Sequence, residues 1–398
     1  MAAYPNKGDS NEASIVAETT RHKGKSEEEY DLNGVMIPRN VCNFCWQTPA
    51  LGSGNFAGHH RGNPSILNRF KTMMTSKPDV LAVAKLQPFY QTALESLYTV
   101  HDRTHVTDPA AFAALAPRIL GVAGTGEASV PSSLLAQLPN AKVVSVFGVG
   151  YDGVDVPAAI AHGIPVTHTP DVLTDDVADL AMGLVLSVGR GIPQADQFVR
   201  AGRWPAGPIA LARKVSGARM GIVGLGRIGK AIAQRAKAFG MSIAYTARSE
   251  KPDSGFIFYP TAAALAAEVD FLVAITPGGA GTLHLINAEV LQALGPRGFL
   301  INVARGSVVD ETALIAALQN GTIAGAGLDV FANEPQVPEA LWSLPNVVLT
   351  PHMASATTET RQAMADLAFA NMQAGINGQP LRSPVPECMG MGAGSQGR

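Results

Sequence analysis

The sequence predicts an α/β protein of two Rossmann-like, doubly wound parallel-sheet domains, one inserted into the other. Three observations carry this. From residue 79 onward, short apolar runs of strand type alternate with helical stretches, the spacing of βαβ units and parallel sheets. The alternation comes in two blocks, parted by a long helical stretch at 175–202 and a Gly- and Pro-rich loop at 202–207. A glycine-rich turn, Gly224-Leu-Gly-Arg-Ile-Gly229, opens the second block between a strand-like run and a helical one.

In the first block the strand-like runs are 80–84, 119–123, 143–147 and 165–167, with helical segments at 132–138 and 157–162. In the second block they are 220–223, 242–245, 271–275, 299–303, 326–330 and 347–349. Six strands with helical connections complete a doubly wound unit. The helical stretch at 357–377 leads out of that unit and is expected to rejoin the first block. The first domain is then discontinuous. The expected boundaries are 73–174 plus 354–388 for a substrate domain and 175–353 for a dinucleotide-binding domain, with hinge crossings near 175 and 353.

Residues 1–72 are rich in Gly, Asn, Ser and charge and show no sustained period. They are expected to be disordered or weakly ordered, and so is the tail, 389–398. Cys42 and Cys45 have a metal-ligand spacing, but the only other cysteine is Cys388. Zinc sites of this type need a second pair, so the pair reads as incidental and no metal site is expected. Met73 or Met74 stands just before the first ordered pattern, which makes an upstream misassigned start a hypothesis.

Composition excludes several classes. With 46% hydrophobic residues in 398, the chain can bury large cores. A net charge of −2 implies no polyelectrolyte partner, so nucleic acid is not expected. Three cysteines cannot build a disulfide framework, which fits a reducing compartment. No signal peptide is read, and the longest apolar candidate, 177–188, is broken by Asp179. A cytoplasmic protein with no membrane partner is expected.

The turn Gly224–Gly229 (Gly224, Leu225, Gly226, Arg227, Ile228, Gly229) has the context a dinucleotide site requires. Gly224 makes the tight turn, Gly226 admits a pyrophosphate, and Gly229 lets the helix pack on the strand. The helix N-terminus attracts the phosphates. An NAD site wants an acid about 20 residues on. Here Arg248 and Ser249 follow the second strand instead, offering a cation and a hydroxyl for a 2′-phosphate. NADPH is the expected cofactor, with NADH possible.

Three further strand ends carry charge: Arg305 in Asn302-Val-Ala-Arg-Gly306, Glu334 in Asp329-Val-Phe-Ala-Asn-Glu-Pro335, and His352 in Leu349-Thr-Pro-His-Met353. Ligands of doubly wound sheets sit at the carboxyl ends of strands. A cation, a carboxylate and an imidazole there are parts for one reaction: an anion anchor, a proton carrier and a group that tunes it.

Residues 79–386 resemble the D-isomer-specific 2-hydroxy-acid dehydrogenases. The motifs that carry the likeness are Gly148-Val-Gly-Tyr-Asp-Gly-Val-Asp155, Thr169-Pro-Asp-Val-Leu-Thr-Asp-Asp-Val-Ala-Asp179, Gly224–Gly229, Asn302–Gly306, Asp329–Pro335 and Pro351-His-Met-Ala-Ser355. The segment from Thr169 and the Arg248-Ser249 pair look most like the NADPH-dependent glyoxylate/hydroxypyruvate reductases, a subgroup that includes hydroxyphenylpyruvate reductases. The resemblance implies that Arg305 binds the 2-keto acid, that His352 is the acid in reduction, and that Glu334 raises the pKa of His352. It implies that backbone N–H groups of Val149 and Gly150 hold the substrate carboxylate. Thr174 and Asp329 would lie by the nicotinamide, Asp329 facing its amide. Thr276 and Pro277 would line the adenosine side, and Val303 and Ala304 would flank the nicotinamide ribose. The product would be the D-2-hydroxy acid.

Formate dehydrogenases share this architecture but resemble a pattern with Gln before the His, where this chain has Pro351. Hydroxyphenylpyruvate and 3-phosphoglycerate remain as alternative substrates, and a dinucleotide-sensing corepressor remains as an alternative class. The loop 124–128 is expected to border the pocket and has no basic residue, which argues against a phosphorylated substrate. The apolar helical stretch 175–200 suggests a homodimer that buries it.

Overall fold

The computed structural model describes residues 77–391. The expectations for the 1–72 extension, the Cys42/Cys45 pair, Met73/Met74 and residues 392–398 lie outside the described residues. Residues 389–391 are described, and Met391 packs against the apolar cluster around the first sheet.

That sheet holds β1 (Asp79–Ala82), β2 (Thr99–Asp102), β3 (Ile119–Thr125), β4 (Val144–Phe147) and β5 (Val166–Thr167), all parallel in the order β2-β1-β3-β4-β5. The second holds β6 (Arg219–Val223), β7 (Ser242–Thr246), β8 (Ile257–Phe258), β9 (Phe271–Ala274), β10 (Phe299–Asn302), β11 (Gly325–Leu328) and β12 (Val347–Leu349). Its order is β12-β11-β10-β9-β6-β7-β8, again all parallel. The fold class is the one the sequence predicts.

Both unpredicted strands are sheet edges. β2 reads Thr-Val-His-Asp and has no fully buried residue, and β8 is two residues long. An edge is covered on fewer sides than a central strand, so it lacks the unbroken apolar run that marks β6 or β9.

The helical stretch 175–202 is two helices, Thr174–Arg190 and Ile192–Arg200. Gly191 takes a left-handed φ of 60° between them, and Pro193 stands in the first turn of the second helix. Both residues stood in the sequence, but the apolar period running through them masked the break. The first helix buries Val177, Ala178, Ala181, Met182, Leu184, Val185 and Val188. It packs on the Arg227–Ala238 helix and on β10, β11 and β12. Its own chain therefore covers its apolar face. Exposed large apolar side chains follow it at Ile192, Val199, Trp204, Ile209 and Leu211, as others do elsewhere in the fold.

The Thr358–Ile376 helix follows β12 yet packs on β3, β4 and the Pro88–Leu97 helix. Small residues allow the approach: a Cβ on Gly375 would lie 2.5 Å from Val143, and one on Gly121 would clash with Met372. Ser145 Oγ donates to the Ala368 carbonyl at 2.8 Å, which satisfies a fully buried hydroxyl.

Candidate active site

Arg305 stands three residues beyond β10. Asn302, 1% exposed, shapes the turn between them: its Oδ1 accepts from Ala304 N–H at 3.1 Å and its Nδ2 donates to the Arg305 carbonyl at 3.0 Å. A Cβ on Gly306 would lie 1.9 Å from the Phe331 backbone. Only glycine lets the loop after β10 touch the loop after β11, which carries Glu334. The guanidinium, 17% exposed, donates from Nη1 to the Ala304 carbonyl at 2.7 Å and from Nε to Asp152 Oδ2 at 3.2 Å. Glu127 Oε1 lies 3.6 Å from Nε. A Cβ on Gly150 would lie 1.9 Å from Nη2, so the loop after β4 also needs glycine where the guanidinium rests on it. Next to it, Val149 gives its carbonyl to His168 Nδ1 at 2.8 Å.

His352 lies beyond β12 with a left-handed φ of 50°. Non-glycine residues occupy that region only when their surroundings hold them there. Here the holder is Asp329, which is fully buried at the end of β11. Its carbonyl accepts from His352 N–H at 2.8 Å. Its Oδ1 accepts from Thr350 Oγ1 at 2.6 Å and Met353 N–H at 2.9 Å, and its Oδ2 from Ala354 N–H at 3.0 Å. Burial pushes the Asp329 carboxyl up, against these hydrogen bonds. The side chain that the resemblance turns toward the nicotinamide amide is thus engaged with the loop that carries His352.

Glu334 Oε2 accepts from His352 Nδ1 at 2.6 Å, and its Oε1 accepts from Phe331 N–H at 3.0 Å. The hydrogen bond to Glu334 raises the imidazole pKa. Burial opposes it, and the charges of Glu334 and Glu127 add to it. Burial pulls Glu334 upward, but the hydrogen bonds from His352 and Phe331 and the His352 and Arg305 charges outweigh it and hold the carboxyl low. The pair therefore favours imidazolium beside carboxylate. With Nδ1 engaged, Nε2 remains to exchange a proton, since among the described residues it has no hydrogen-bond partner. Glu127, Glu334 and His352 also offer ligand atoms within 4.8 Å of one another, a spacing that a cation could use.

The glycine turn has a distinct environment at each position. Gly224 has φ 106°, and a Cβ there would lie 2.6 Å from the Ile275 carbonyl. A Cβ on Gly229 would lie 2.2 Å from the Gly224 carbonyl, whereas one on Gly226 would meet open space. The closed positions make the turn and the helix packing, and the open one leaves room for a pyrophosphate. Leu225 is buried, Ile228 packs against the core, and Arg227 pairs with Asp171 at 2.9 Å. Arg248 and Ser249 are exposed just past β7. Thr276 is half-buried and Pro277 exposed, both past β9 at the point where the strand order reverses. Val303 and Ala304 are buried beneath Arg305. Thr174 opens its helix, its N–H donating to the Asp171 carbonyl at 3.1 Å.

Sequence reasoning missed Glu127, Asp152, Asn302 and Gly306 as contributors to this site. Asp152 and Asn302 lay inside motifs already singled out, and Glu127 inside the loop 124–128. Their convergence on Arg305 had no local signal, because Asp152 and Arg305 are 153 positions apart.

Residues 182–354 match the family described as D-isomer specific 2-hydroxyacid dehydrogenase, NAD binding domain. The chain is 50% identical over 270 residues to a hydroxyphenylpyruvate reductase of Plectranthus scutellarioides, covering 68% of this chain and 86% of that protein. It is 45% identical over 312 residues to a 2-ketogluconate reductase of Gluconobacter oxydans, covering 78% of this chain and all of that one. Among solved structures, it resembles an NADPH-dependent glyoxylate/hydroxypyruvate reductase from Sinorhizobium meliloti in complex with NADP and malonate. The TM-score is 0.73 at 48% identity, over 78% of this chain and 98% of that one.

Proposed function

The chain belongs to the D-isomer specific 2-hydroxyacid dehydrogenase family, and we propose that it reduces a small 2-keto acid of the glyoxylate/hydroxypyruvate type to the D-2-hydroxy acid with NADPH. It is an NAD(P)-dependent oxidoreductase acting on 2-keto acids. The observation that carries the reading is the 2.6 Å His352–Glu334 pair set beside the Arg305 guanidinium.

Arg305 draws in the substrate carboxylate, and the Val149 and Gly150 N–H groups hold it. His352, charged through Glu334, gives its Nε2 proton to the oxygen of the carbonyl as that oxygen gains negative charge. Arg305 offsets the same charge. Asp329 keeps His352 in place through the loop backbone. The Gly224–Gly229 turn, with Thr174, Thr276, Pro277, Val303 and Ala304 around it, would hold the dinucleotide; when bound, the reduced nicotinamide supplies the hydride. Arg248 and Ser249 would meet the 2′-phosphate of NADPH.

A panel of 2-keto acids assayed with both cofactors tests the reading. Glyoxylate and hydroxypyruvate should turn over, with kcat/KM higher for NADPH than for NADH. Arg248→Asp should reverse that preference, by about tenfold or more, since it turns an attractive charge repulsive. Unchanged cofactor selectivity in that variant would remove Arg248 from the phosphate site.

We place the protein in the cytoplasm on its few cysteines; among the described residues, no helix is long and apolar enough to cross a membrane. We also propose a homodimer. The face we assign to it carries Ile192, Val199, Trp204, Ile209 and Leu211, with Leu211 fully exposed. Light scattering should give twice the chain mass, and Trp204→Glu with Leu211→Glu should halve it. A monomeric parent would end this assignment.

A further inference from the structure

We propose that Glu127 and Asp152 set substrate specificity: they select 2-keto acids that carry one negative charge and a hydroxyl near the carbonyl, and reject those that carry a second anionic group. The inference rests on the 2-keto acid reading above and deepens it. Two carboxylates face the reacting groups from the first sheet. Asp152 Oδ2 is 3.2 Å from Arg305 Nε, and Glu127 Oε1 is 3.6 Å from that atom and 3.7 Å from His352 Nδ1. Neither is a chance contact of a loose loop. Gly153 N–H donates to the Gly126 carbonyl at 3.0 Å, Val130 N–H to the Gly153 carbonyl at 2.9 Å, and Asp155 N–H to the Val130 carbonyl at 3.0 Å. A Cβ on Gly153 would lie 2.4 Å from the Ala128 carbonyl, so the two loops are in backbone contact where the acids leave them. A parallel bridge, Val130 with Val154, closes the strap.

This arrangement has a consequence for binding. One guanidinium faces two acids and must also take the substrate carboxylate. Once the substrate occupies it, less positive charge faces the Glu127 and Asp152 side chains. A phosphate or second carboxylate on the substrate then meets two negative groups at short range, in a partly desolvated cleft. A hydroxyl at C3 instead donates to a carboxylate, a charge-assisted hydrogen bond. Glu127, its side chain 43% exposed, can turn toward it, while Asp152, at 22%, stays against Arg305.

The test measures kcat/KM with NADPH for hydroxypyruvate, which offers a hydroxyl, and for oxaloacetate, which offers a second carboxylate, each relative to glyoxylate, which has neither. In Glu127→Gln the relative value for oxaloacetate should rise about tenfold or more, and that for hydroxypyruvate should fall, both mainly through KM. Asp152→Asn should move oxaloacetate the same way. In the parent enzyme, added salt should narrow the gap between glyoxylate and oxaloacetate. This needs no variant to fold. Relative values unchanged within about twofold in both variants would overturn the proposal, as would a gap insensitive to salt. A purely structural role would lower all three substrates together and leave the ratios fixed, which also overturns it. Failure of the parent to reduce any of the three would sink the 2-keto acid reading itself, a distinct outcome.

Discussion

Replacing His352 with Asn is expected to lower kcat for 2-keto acid reduction by about 10²–10⁴-fold, the usual worth of a positioned general acid, with NADPH affinity kept. Asn is the informative choice. His352 sits at φ 50°, and Asn tolerates the left-handed region better than other non-glycine residues. The backbone can therefore keep its bonds to Asp329, and the lost activity reports the lost proton. Glu334→Gln is the companion variant. The hydrogen bond to Glu334 is the leading cause of the raised His352 pKa, helped by the Glu334 and Glu127 charges against burial. Reduction needs imidazolium, so the parent's kcat/KM should fall on the alkaline side as pH rises through this raised pKa. In Glu334→Gln that limb should move to lower pH, leaving the smallest loss under acid conditions. Oxidation needs neutral imidazole, so its rising limb should move the same way. Titrating both directions from about pH 5 to 9 decides it, and limbs that stay where the parent has them would refute Glu334 as the tuner.

Which features could be read from the chain follows from where each residue's information resides. Residues 220–223 of β6, all of β9 and residues 299–301 of β10 are buried and apolar without a break, which makes these strands legible. β2 and β8 are edges and were not. Arg305, Glu334 and His352 were legible because a doubly wound sheet presents ligand groups at strand ends, a position that sequence gives once the strands are known. Glu127 and Asp152 come from the other sheet. Their meeting with Arg305 depends on how the two sheets face one another and on Gly150, whose missing side chain lets the guanidinium rest on the loop. Asp329 is a case between these. Its place at a strand end was plain, but its partners, Thr350, Met353 and Ala354, follow from the turn of a neighbouring loop.

Arg305→Lys is expected to lower kcat/KM by about 10²-fold or more although the charge is kept. The geometry explains why charge alone does not suffice. Arg305 donates from Nη1 to the Ala304 carbonyl and from Nε to Asp152 while its Nη2 lies over Gly150. The planar fork is thus fixed on its supporting side and presents its remaining donors to a substrate. An ammonium has no such plane. It can meet the carboxylate or the carbonyl oxygen, but not both in fixed directions. Each charge-assisted hydrogen bond lost costs about 1.5–3 kcal/mol, and every 1.4 kcal/mol is tenfold. Loss of the bond to the carboxylate should raise KM, and loss of the bond to the carbonyl oxygen should lower kcat, so both constants should move. Arg305→Ala should fall further, because Asp152 and Glu127 then face the substrate carboxylate with no cation between them. Guanidinium added to Arg305→Ala should restore part of kcat, since the void over Gly150 can admit it. Steady-state kinetics with hydroxypyruvate at saturating NADPH provides the measurement. A Lys variant within about threefold of the parent would mean that Arg305 acts only as a point charge, and the anchoring role would pass to the Val149 and Gly150 backbone.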